Sequence, residues 1–126
     1  MAGAEPTRTK PKRATAGARA EHMAALFLAA RGLTIVARNF RTRRGEIDLI
    51  ARDGATLVFV EVRLRRSTLF GGAGASITHA KGVRLKAAAQ AYLATLGSEP
   101  PCRFDAVLLD SLESHAIAWE RDILSD

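Results

Sequence analysis

The stretch GEIDLIARDGATLVFVEVRLRR, Gly45 to Arg66, contains two short apolar segments around an Asp-Gly pair. Ile, Val, Leu and Phe dominate residues 46–50 and 57–64, and an Asp-Gly pair between two such segments is a strong short-range signal for a β-hairpin. If that pair forms the two-residue turn, counting outward places Asp48 opposite Phe59. The sequence therefore predicts two antiparallel strands whose register brings charged residues together.

The predicted hairpin carries its charged side chains on one face. In this register Glu61 is the diagonal neighbour of Asp48, with the two backbones about 7–8 Å apart. Side chains alternate along a strand, so Arg63 shares the face of Glu61, whereas the valines of the same segment point to the other face. Two carboxylates and a guanidinium are thus expected side by side.

This charged face has two interpretations. Ionised groups away from water are costly unless they acquire a partner or a metal. Mg²⁺ takes oxygen ligands, typically one or two carboxylates, and keeps positions for water and phosphate. A metal and phosphate site at Asp48 and Glu61 is therefore one interpretation. The other is a half-solvated strand face on which Arg63 offsets both carboxylates, and the hairpin alone does not choose between them.

A helix is predicted before the hairpin, ending near Gly32. Its apolar residues recur at helical spacing, and they are Ala20, Met23, Ala24, Phe27 and Leu28. Glu21 lies about 80° from the centre of this apolar stripe, at roughly 100° per residue, so it can border the core and reach towards a sheet. The alternative is an exposed acidic residue near a helix N-terminus, where negative charge is favourable.

Further elements flank the hairpin. Leu33–Asn39 is predicted to form a strand before it. A second helix is expected to begin near Ser76 or Thr78, because either hydroxyl suits an N-cap, and to end at the Gly and Pro residues that follow its apolar face. The predicted order up to this point is therefore one helix, three strands and a second helix.

The C-terminal part of the chain is expected to add two strands. Arg103–Leu109 is apolar enough for a central strand reached by a crossover from the second helix. Within it, Asp105 either supports the charged site from behind or pairs with an arginine at the strand end. His115–Trp119 is predicted to form a short edge strand.

The composition favours a single domain with an anionic partner. The chain has 126 residues and a formal net charge of +6, with a pI near 10.4, a size and charge typical of one domain that binds polyanions. Few aromatic residues argue against base stacking, so contacts to DNA phosphates are the interpretation, and a solvated basic surface is the alternative. The basic residues concerned are Arg41, Arg43, Arg44, Arg65, Arg66, Lys81 and Arg84.

Cysteine usage and the first residues favour a cytoplasmic location. Cys102 is the only cysteine of the sequence, so neither an internal disulfide nor a zinc site built from several thiolates can form. Residues 1–17 are small and basic and lack the apolar core of a secretory signal, which predicts a disordered tail before a single domain over 18–126. The longest apolar run is too short to span a bilayer, and no membrane contact is expected.

Several separated motifs resemble those of one family in the same order. They are Gly45-Glu46-Ile47-Asp48-Leu49-Ile50, Val58-Phe59-Val60-Glu61-Val62-Arg63, Arg65-Arg66-Ser67, Phe70-Gly71-Gly72 and Ser76-Ile77-Thr78. With the helical Glu21, the pattern resembles the YraN-type family of small bacterial proteins over residues 18–126. The resemblance implies an α/β, restriction-endonuclease-like fold of the PD-(D/E)-x-K and Holliday-junction-resolvase-like kind, with a central mixed β-sheet, a β-hairpin that carries the site, and flanking helices.

The resemblance also implies roles for individual residues. In such nucleases the acids matching Asp48 and Glu61 hold a divalent metal, Mg²⁺ or Mn²⁺, the carbonyl matching Val62 often adds a ligand, and the acid matching Glu21 joins through water. The last motif position is usually Lys, but here it is Arg63. Arginine stays protonated in proteins, so Arg63 cannot be a general base, although it can clamp a phosphate and stabilise developing charge.

Two functions follow from the resemblance. The first is a metal-dependent endonuclease that hydrolyses phosphodiesters in structured or branched DNA, with Glu21, Asp48, Glu61 and Arg63 as its catalytic residues. The second is a non-catalytic DNA-binding or assembly module that retains the nuclease fold. Relatives that cut junctions act as dimers because a two-fold junction presents two equivalent strands, so a homodimer is expected from the resemblance alone.

Overall fold

The computed structural model describes residues 15–64, 78–113 and 116–124. Within these ranges the chain forms two helices and five strands: α1 (Ala16–Ala30), β1 (Thr34–Arg41), β2 (Glu46–Asp53), β3 (Thr56–Leu64), α2 (His79–Ala94), β4 (Cys102–Leu109) and β5 (Ile117–Glu120). The strands form one sheet in the order β1-β2-β3-β4-β5. The predicted α/β class is confirmed, and the architecture is consistent with a restriction-endonuclease-like fold.

The sheet is mixed because of one long connection. Its neighbouring strands are antiparallel except for β3 and β4, which run parallel. Antiparallel neighbours can be joined by tight turns, whereas parallel neighbours need a crossover, which the segment containing α2 supplies. The expected crossover into a central strand is confirmed, and β5 forms the expected short edge strand. His115, expected at its start, lies outside the described residues.

Apolar side chains cover both faces of the central strands. On one face, helix α1 packs through Leu28 and its alanines against Leu49, Val58 and Val60. On the other face, helix α2 packs through Leu85 and its alanines against a cluster that includes Phe59. A strand with helices on both faces needs a nearly continuous apolar run, which is what the middle of β3 provides.

Both helices begin at a threonine N-cap. The Thr15 hydroxyl accepts a hydrogen bond from the Ala18 N–H at 3.0 Å, and the Thr78 hydroxyl accepts one from the Lys81 N–H at 3.1 Å. Thr78 is therefore the N-cap of α2; Ser76 lies outside the described residues, as do residues 1–14. Helix α1 begins at Ala16, within the 1–17 range that was expected to form the tail.

The hairpin between β2 and β3 forms, but its register differs from the prediction. Asp53 pairs with Thr56, so the turn residues are Gly54 and the alanine after it, and Ile50 rather than Asp48 faces Phe59. The predicted pairing of Asp48 with Phe59 is therefore wrong by two residues. The physical reason is local: Gly54 has a φ of 63° and occupies the first position of the two-residue turn, where hairpins of the II′ type favour glycine. Asp53 remains in the strand, where its carboxylate accepts a hydrogen bond from the Arg103 guanidinium on β4 at 3.0 Å.

Candidate functional site

A cleft of about 550 Å³ opens between α2, the β1–β2 turn and the adjoining parts of β2 and β3. Both acidic and basic residues line the cleft, and some of them form ion pairs with one another. The lining residues are Arg41, Thr42, Arg43, Arg44, Gly45, Glu46, Asp48, Glu61, Val62, Lys81, Arg84 and Leu85. The structure therefore brings the predicted metal ligands and most of the described predicted DNA contacts into one cleft.

The β1–β2 turn forms one wall of the cleft and is stabilised by hydrogen bonds between its own residues. The Thr42 hydroxyl accepts hydrogen bonds from the Arg44 and Gly45 N–H groups at 3.1 and 3.0 Å. Gly45 also lies directly on the backbone of α2, because a β-carbon added there would fall on the Arg84 carbonyl group, 2.7 Å from its carbon. A residue without a side chain is therefore what lets the turn approach the helix.

The alternation of side chains between the two faces of β2 is irregular at Asp48. Residues two apart on a strand normally share a face, yet Ile47 packs in the α2 cluster and Leu49 packs in the α1 cluster. Opposite this point on β1, Asn39 has a φ of 52°, and it lies between the paired residues Arg38 and Phe40. The regular alternation of side chains along β2 is thus interrupted at Asp48.

The Asp48 carboxylate bonds to the backbone of the neighbouring strand. Its Oδ2 atom accepts a hydrogen bond from the Val62 N–H at 2.8 Å. Asp48 lies one residue beyond the last regular pair of β2 and β3, which is Leu49 with Val60. The charge of Glu61 acts on the Asp48 carboxyl group, so the two acids are close to each other across the strands.

The environment of Asp48 makes its ionisation unfavourable. Burial, followed by the charges of Glu61 and Glu21 and a hydrogen bond with Glu21, raises the pKa of Asp48 from 3.8 to about 7, against the lowering effect of the Val62 N–H. Nearby carboxylates and desolvation both favour the neutral acid. Glu21 on α1 therefore reaches the sheet, and the structure brings it together with Asp48 as the sequence predicted.

Glu61 is the second acid of the cleft and is 7% exposed. Its Oε2 atom lies 3.0 Å from the Lys81 ammonium and 3.9 Å from the Arg63 guanidinium. Sequence reasoning placed Lys81 among the general DNA contacts and missed its pairing with Glu61. A local signal was present: Lys81 is the third residue after the Thr78 N-cap, where Glu or Gln would complete a capping box.

The donor set fits a hard divalent cation. Within residues 15–64, 78–113 and 116–124, no group of three or more His, Cys, Asp and Glu side chains is arranged to hold a metal. Mg²⁺ is commonly bound through only one or two carboxylates together with water and phosphate, and Asp48 and Glu61 provide two. Burial and the charges of nearby acids raise the pKa of Asp48, and a bound cation would offset both effects.

The basic residues of the cleft differ in their surroundings. Arg43 and Arg44 are exposed on the β1–β2 turn, and Arg84 and Lys81 line the helical wall. Arg41 forms a 3.4 Å ion pair with Glu46, with both side chains largely exposed. The remaining predicted contacts, Arg65 and Arg66, lie outside the described residues, as do the motif glycines Gly71 and Gly72.

A second buried carboxylate, Asp105 on β4, lies outside this cleft and is fully paired. The Arg103 Nε donates to both of its oxygens at 3.1 and 3.2 Å, and the Trp119 indole and the Asp122 N–H each donate at 2.9 Å. The predicted pairing of Asp105 with an arginine is confirmed. These contacts tie β4 to β5 and to the segment after it, so the role of Asp105 is structural.

Taken together, the mixed sheet, its two helices and the cleft of paired acids define a small α/β protein whose architecture is consistent with the restriction-endonuclease-like class. Residues 20–109 match the model of "Uncharacterised protein family UPF0102". The chain belongs to this family, as the resemblance to YraN-type proteins predicted.

The chain is similar to UPF0102 proteins from several bacteria. It is 55% identical to that of Nitrosospira multiformis over 106 residues, covering 84% of this chain and 89% of the relative. It is 48% identical to one from Nitrosomonas europaea over 110 residues, covering 87% and 93% of the two chains. With that of Symbiobacterium thermophilum it shares 58% identity over 92 residues, covering 72% and 78%.

Neither α1 nor α2 is long and apolar enough to cross a bilayer.

Proposed function

We propose that this protein is a metal-dependent endonuclease that hydrolyses phosphodiester bonds in structured or branched DNA, with Mg²⁺ or Mn²⁺ as its cofactor. The observation that carries the proposal is the proximity of two acids, Asp48 and Glu61, in a cleft that several basic residues also line. A carboxyl group whose pKa is raised by burial and by neighbouring acids is a poor structural element and a good candidate for cation binding.

The acids and the Val62 carbonyl would hold the metal. When bound, a divalent cation would neutralise phosphate charge and lower the pKa of a water molecule that attacks phosphorus. The Val62 N–H keeps one Asp48 oxygen in place, and Glu21 borders the same carboxylate from α1. Arg63, which lies 3.9 Å from Glu61, would contribute a permanent positive charge near the phosphate.

The basic wall supports DNA as the substrate. Phosphate contacts position a duplex without reading its bases, and an exposed turn carrying Arg43 and Arg44 beside Arg84 of α2 suits such contacts. Binding through these residues would weaken steeply with salt, because neutralised phosphates release counterions. The preference for branched DNA, and the homodimer that a two-fold junction favours, rest on the resemblance to junction resolvases.

A second function is favoured by one observation. Arg63 occupies the motif position at which nucleases usually have Lys, and an arginine cannot exchange a proton there. The protein would then be a non-catalytic DNA-binding or assembly module that keeps the acidic pair and the basic wall.

Cleavage assays separate the two functions. Labelled four-way junction, flap, single-stranded and linear duplex DNA would be incubated with Mn²⁺ and wild type, Asp48→Asn, Glu61→Gln or Glu120→Gln. Glu120 is an exposed acid on the edge strand β5 and serves as the matched control. Cutting by wild type and Glu120→Gln that disappears in both other variants supports the nuclease. Intact DNA in every lane, with DNA binding retained, supports the non-catalytic module.

A further inference from the structure

Lys81 occupies a position that disfavours a cation. It lies in the first turn of α2, and its N–H donates to the Thr78 N-cap. The partial positive charge of a helix N-terminus favours acidic side chains there, and Glu or Gln at this third position would bond back to the cap residue. A local rule broken in this way points to a role for Lys81 outside the helix.

The Lys81 side chain contacts Glu61 in the cleft. Its ammonium lies 3.0 Å from Glu61 Oε2, closer than the 3.9 Å of Arg63 to the same atom. The Lys81 side chain is 38% exposed, whereas that of Glu61 is 9% exposed. Among the described residues that line the cleft, Lys81 is present and Arg63 is not. Lys81 therefore connects the buried acid to the open space in which a phosphate would lie.

We propose that Lys81, rather than Arg63, is the cationic catalytic residue of this site. It pairs with Glu61, and with Glu61 serving as a metal ligand the Lys81 ammonium would be available to contact a non-bridging oxygen of the scissile phosphate. Helix α2 thereby supplies the lysine that such nucleases usually have on β3, where this chain has Arg63. This inference rests on the proposed nuclease function.

Phosphodiester hydrolysis requires only a fixed positive charge from Lys81. In hydrolysis the water oxygen forms a bond to phosphorus, the bond from phosphorus to the leaving deoxyribose oxygen breaks, and the proton lost by the attacking water passes to solvent. The leaving oxygen takes a proton from solvent water. Lys81 remains protonated throughout and stabilises the negative charge that builds up on the phosphate oxygens.

The test compares Lys81→Gln, Lys81→Arg, Arg63→Gln and Lys86→Gln. Lys81→Gln completes a capping box with Thr78, so α2 should keep its start, and a thermal melt checks that it does. Lys86 is an exposed lysine on the same helix that is absent from the lining of the cleft among described residues. Lys86→Gln therefore controls for the loss of one positive charge.

The first readout is Mn²⁺ binding by calorimetry without DNA. Lys81→Gln should bind Mn²⁺ about threefold to fivefold more tightly than wild type, because the ammonium no longer competes for Glu61. Lys86→Gln should match wild type. Equal affinity in Lys81→Gln and wild type would overturn the proposal, since the metal and Lys81 would then not share the carboxylate.

The second readout is single-turnover cleavage at saturating protein with Mn²⁺. Lys81→Gln should lose about 100-fold in rate, Arg63→Gln should lose less than about 10-fold, and Lys81→Arg should recover part of the loss. The reverse order, with Arg63→Gln slow and Lys81→Gln fast, overturns the proposal. If wild type cuts none of the DNAs, the proposed nuclease function fails, and the Mn²⁺ titration still decides whether Lys81 competes for Glu61: tighter binding in Lys81→Gln supports that exchange, and equal binding overturns it.

Discussion

Two groups of buried carboxylates in this protein have opposite surroundings. Asp105 is fully buried, and an arginine, an indole and a backbone N–H supply donors to its oxygens. Asp48 receives the Val62 N–H, but burial and the neighbouring acids Glu61 and Glu21 raise its pKa. The protein supplies several donors to Asp105, whereas at Asp48 the effect of the backbone donor is outweighed by burial and acidic neighbours. This difference separates a structural acid from a candidate ligand.

Replacing Asp105, the acid with a structural role, should have the largest effect on the free energy of unfolding. Asp105→Ala removes the acceptor of the Arg103 Nε, the Trp119 indole and the Asp122 N–H, and it leaves Arg103 with its ion pair to Asp53. We expect the free energy of unfolding to fall by about 3–5 kcal/mol, measured by urea denaturation. A loss below about 1 kcal/mol would contradict a structural role for Asp105.

Replacing Asp48 in the absence of metal should raise the free energy of unfolding at pH 8, whereas replacing Asp105 should lower it. The folded-state pKa of Asp48 is about 7 against 3.8 for the ordinary group, so the folded protein holds more protons between these pH values. Its free energy of unfolding therefore falls as the pH rises through this window and stays low above it. Asp48→Asn removes this dependence.

The measurement for Asp48 is urea denaturation in EDTA at pH 4 and pH 8. The two proteins should be similar at pH 4, and Asp48→Asn should be more stable than wild type at pH 8 by about 2–3 kcal/mol. Parallel stability profiles in the two proteins would show that Asp48 does not titrate in this window.

A substitution at Gly45 should displace one wall of the cleft without changing any charged residue. In Gly45→Ala the new β-carbon would collide with the Arg84 carbonyl, so the β1–β2 turn must move away from α2. We expect a loss of about 1–2 kcal/mol in the free energy of unfolding together with weaker DNA binding. Gly97→Ala is the matched control, because its β-carbon would meet nothing within 4 Å.

Added metal should reduce the contrast between the two groups of carboxylates. At a Mn²⁺ concentration about tenfold above its Kd, wild type should gain about 1.4 kcal/mol of stability. The gain should be larger at pH 8 than at pH 6, because the metal needs ionised Asp48, whose pKa is about 7. Asp48→Asn should gain little, and a similar gain in both proteins would place the metal elsewhere.

Much of the fold could be predicted because its signals are local. The helical spacing before Gly32, the hydroxyl cap at Thr78 and the apolar runs of the hairpin each act over a few residues, and each produced the expected element. The valines of β3 pack on the α1 face as the alternation indicated. Glu21 reached Asp48 because an angle around a helix is also a local property.

The candidate site was predicted less completely, because its geometry depends on contacts between distant segments. Asp53 lies in the strand rather than in the predicted turn, and it bonds there to Arg103, 50 residues away. The pairing of Lys81 with Glu61 joins α2 to β3 across the segment 65–77. Spacing along the chain carries no information about such pairs, so the sequence placed Lys81 only among the basic residues.

The sequence by itself determined the family, the order of helices and strands, and which residue types could bind metal and phosphate. Those properties follow from motifs, periodicity and caps, which need no distant partner. Only the tertiary structure decided that Asp48 lies beside Glu61, that its pKa rises to about 7, and that Lys81 is the nearer cation. Burial and charge interactions arise from packing between segments, and they exist only once the helices lie against the sheet.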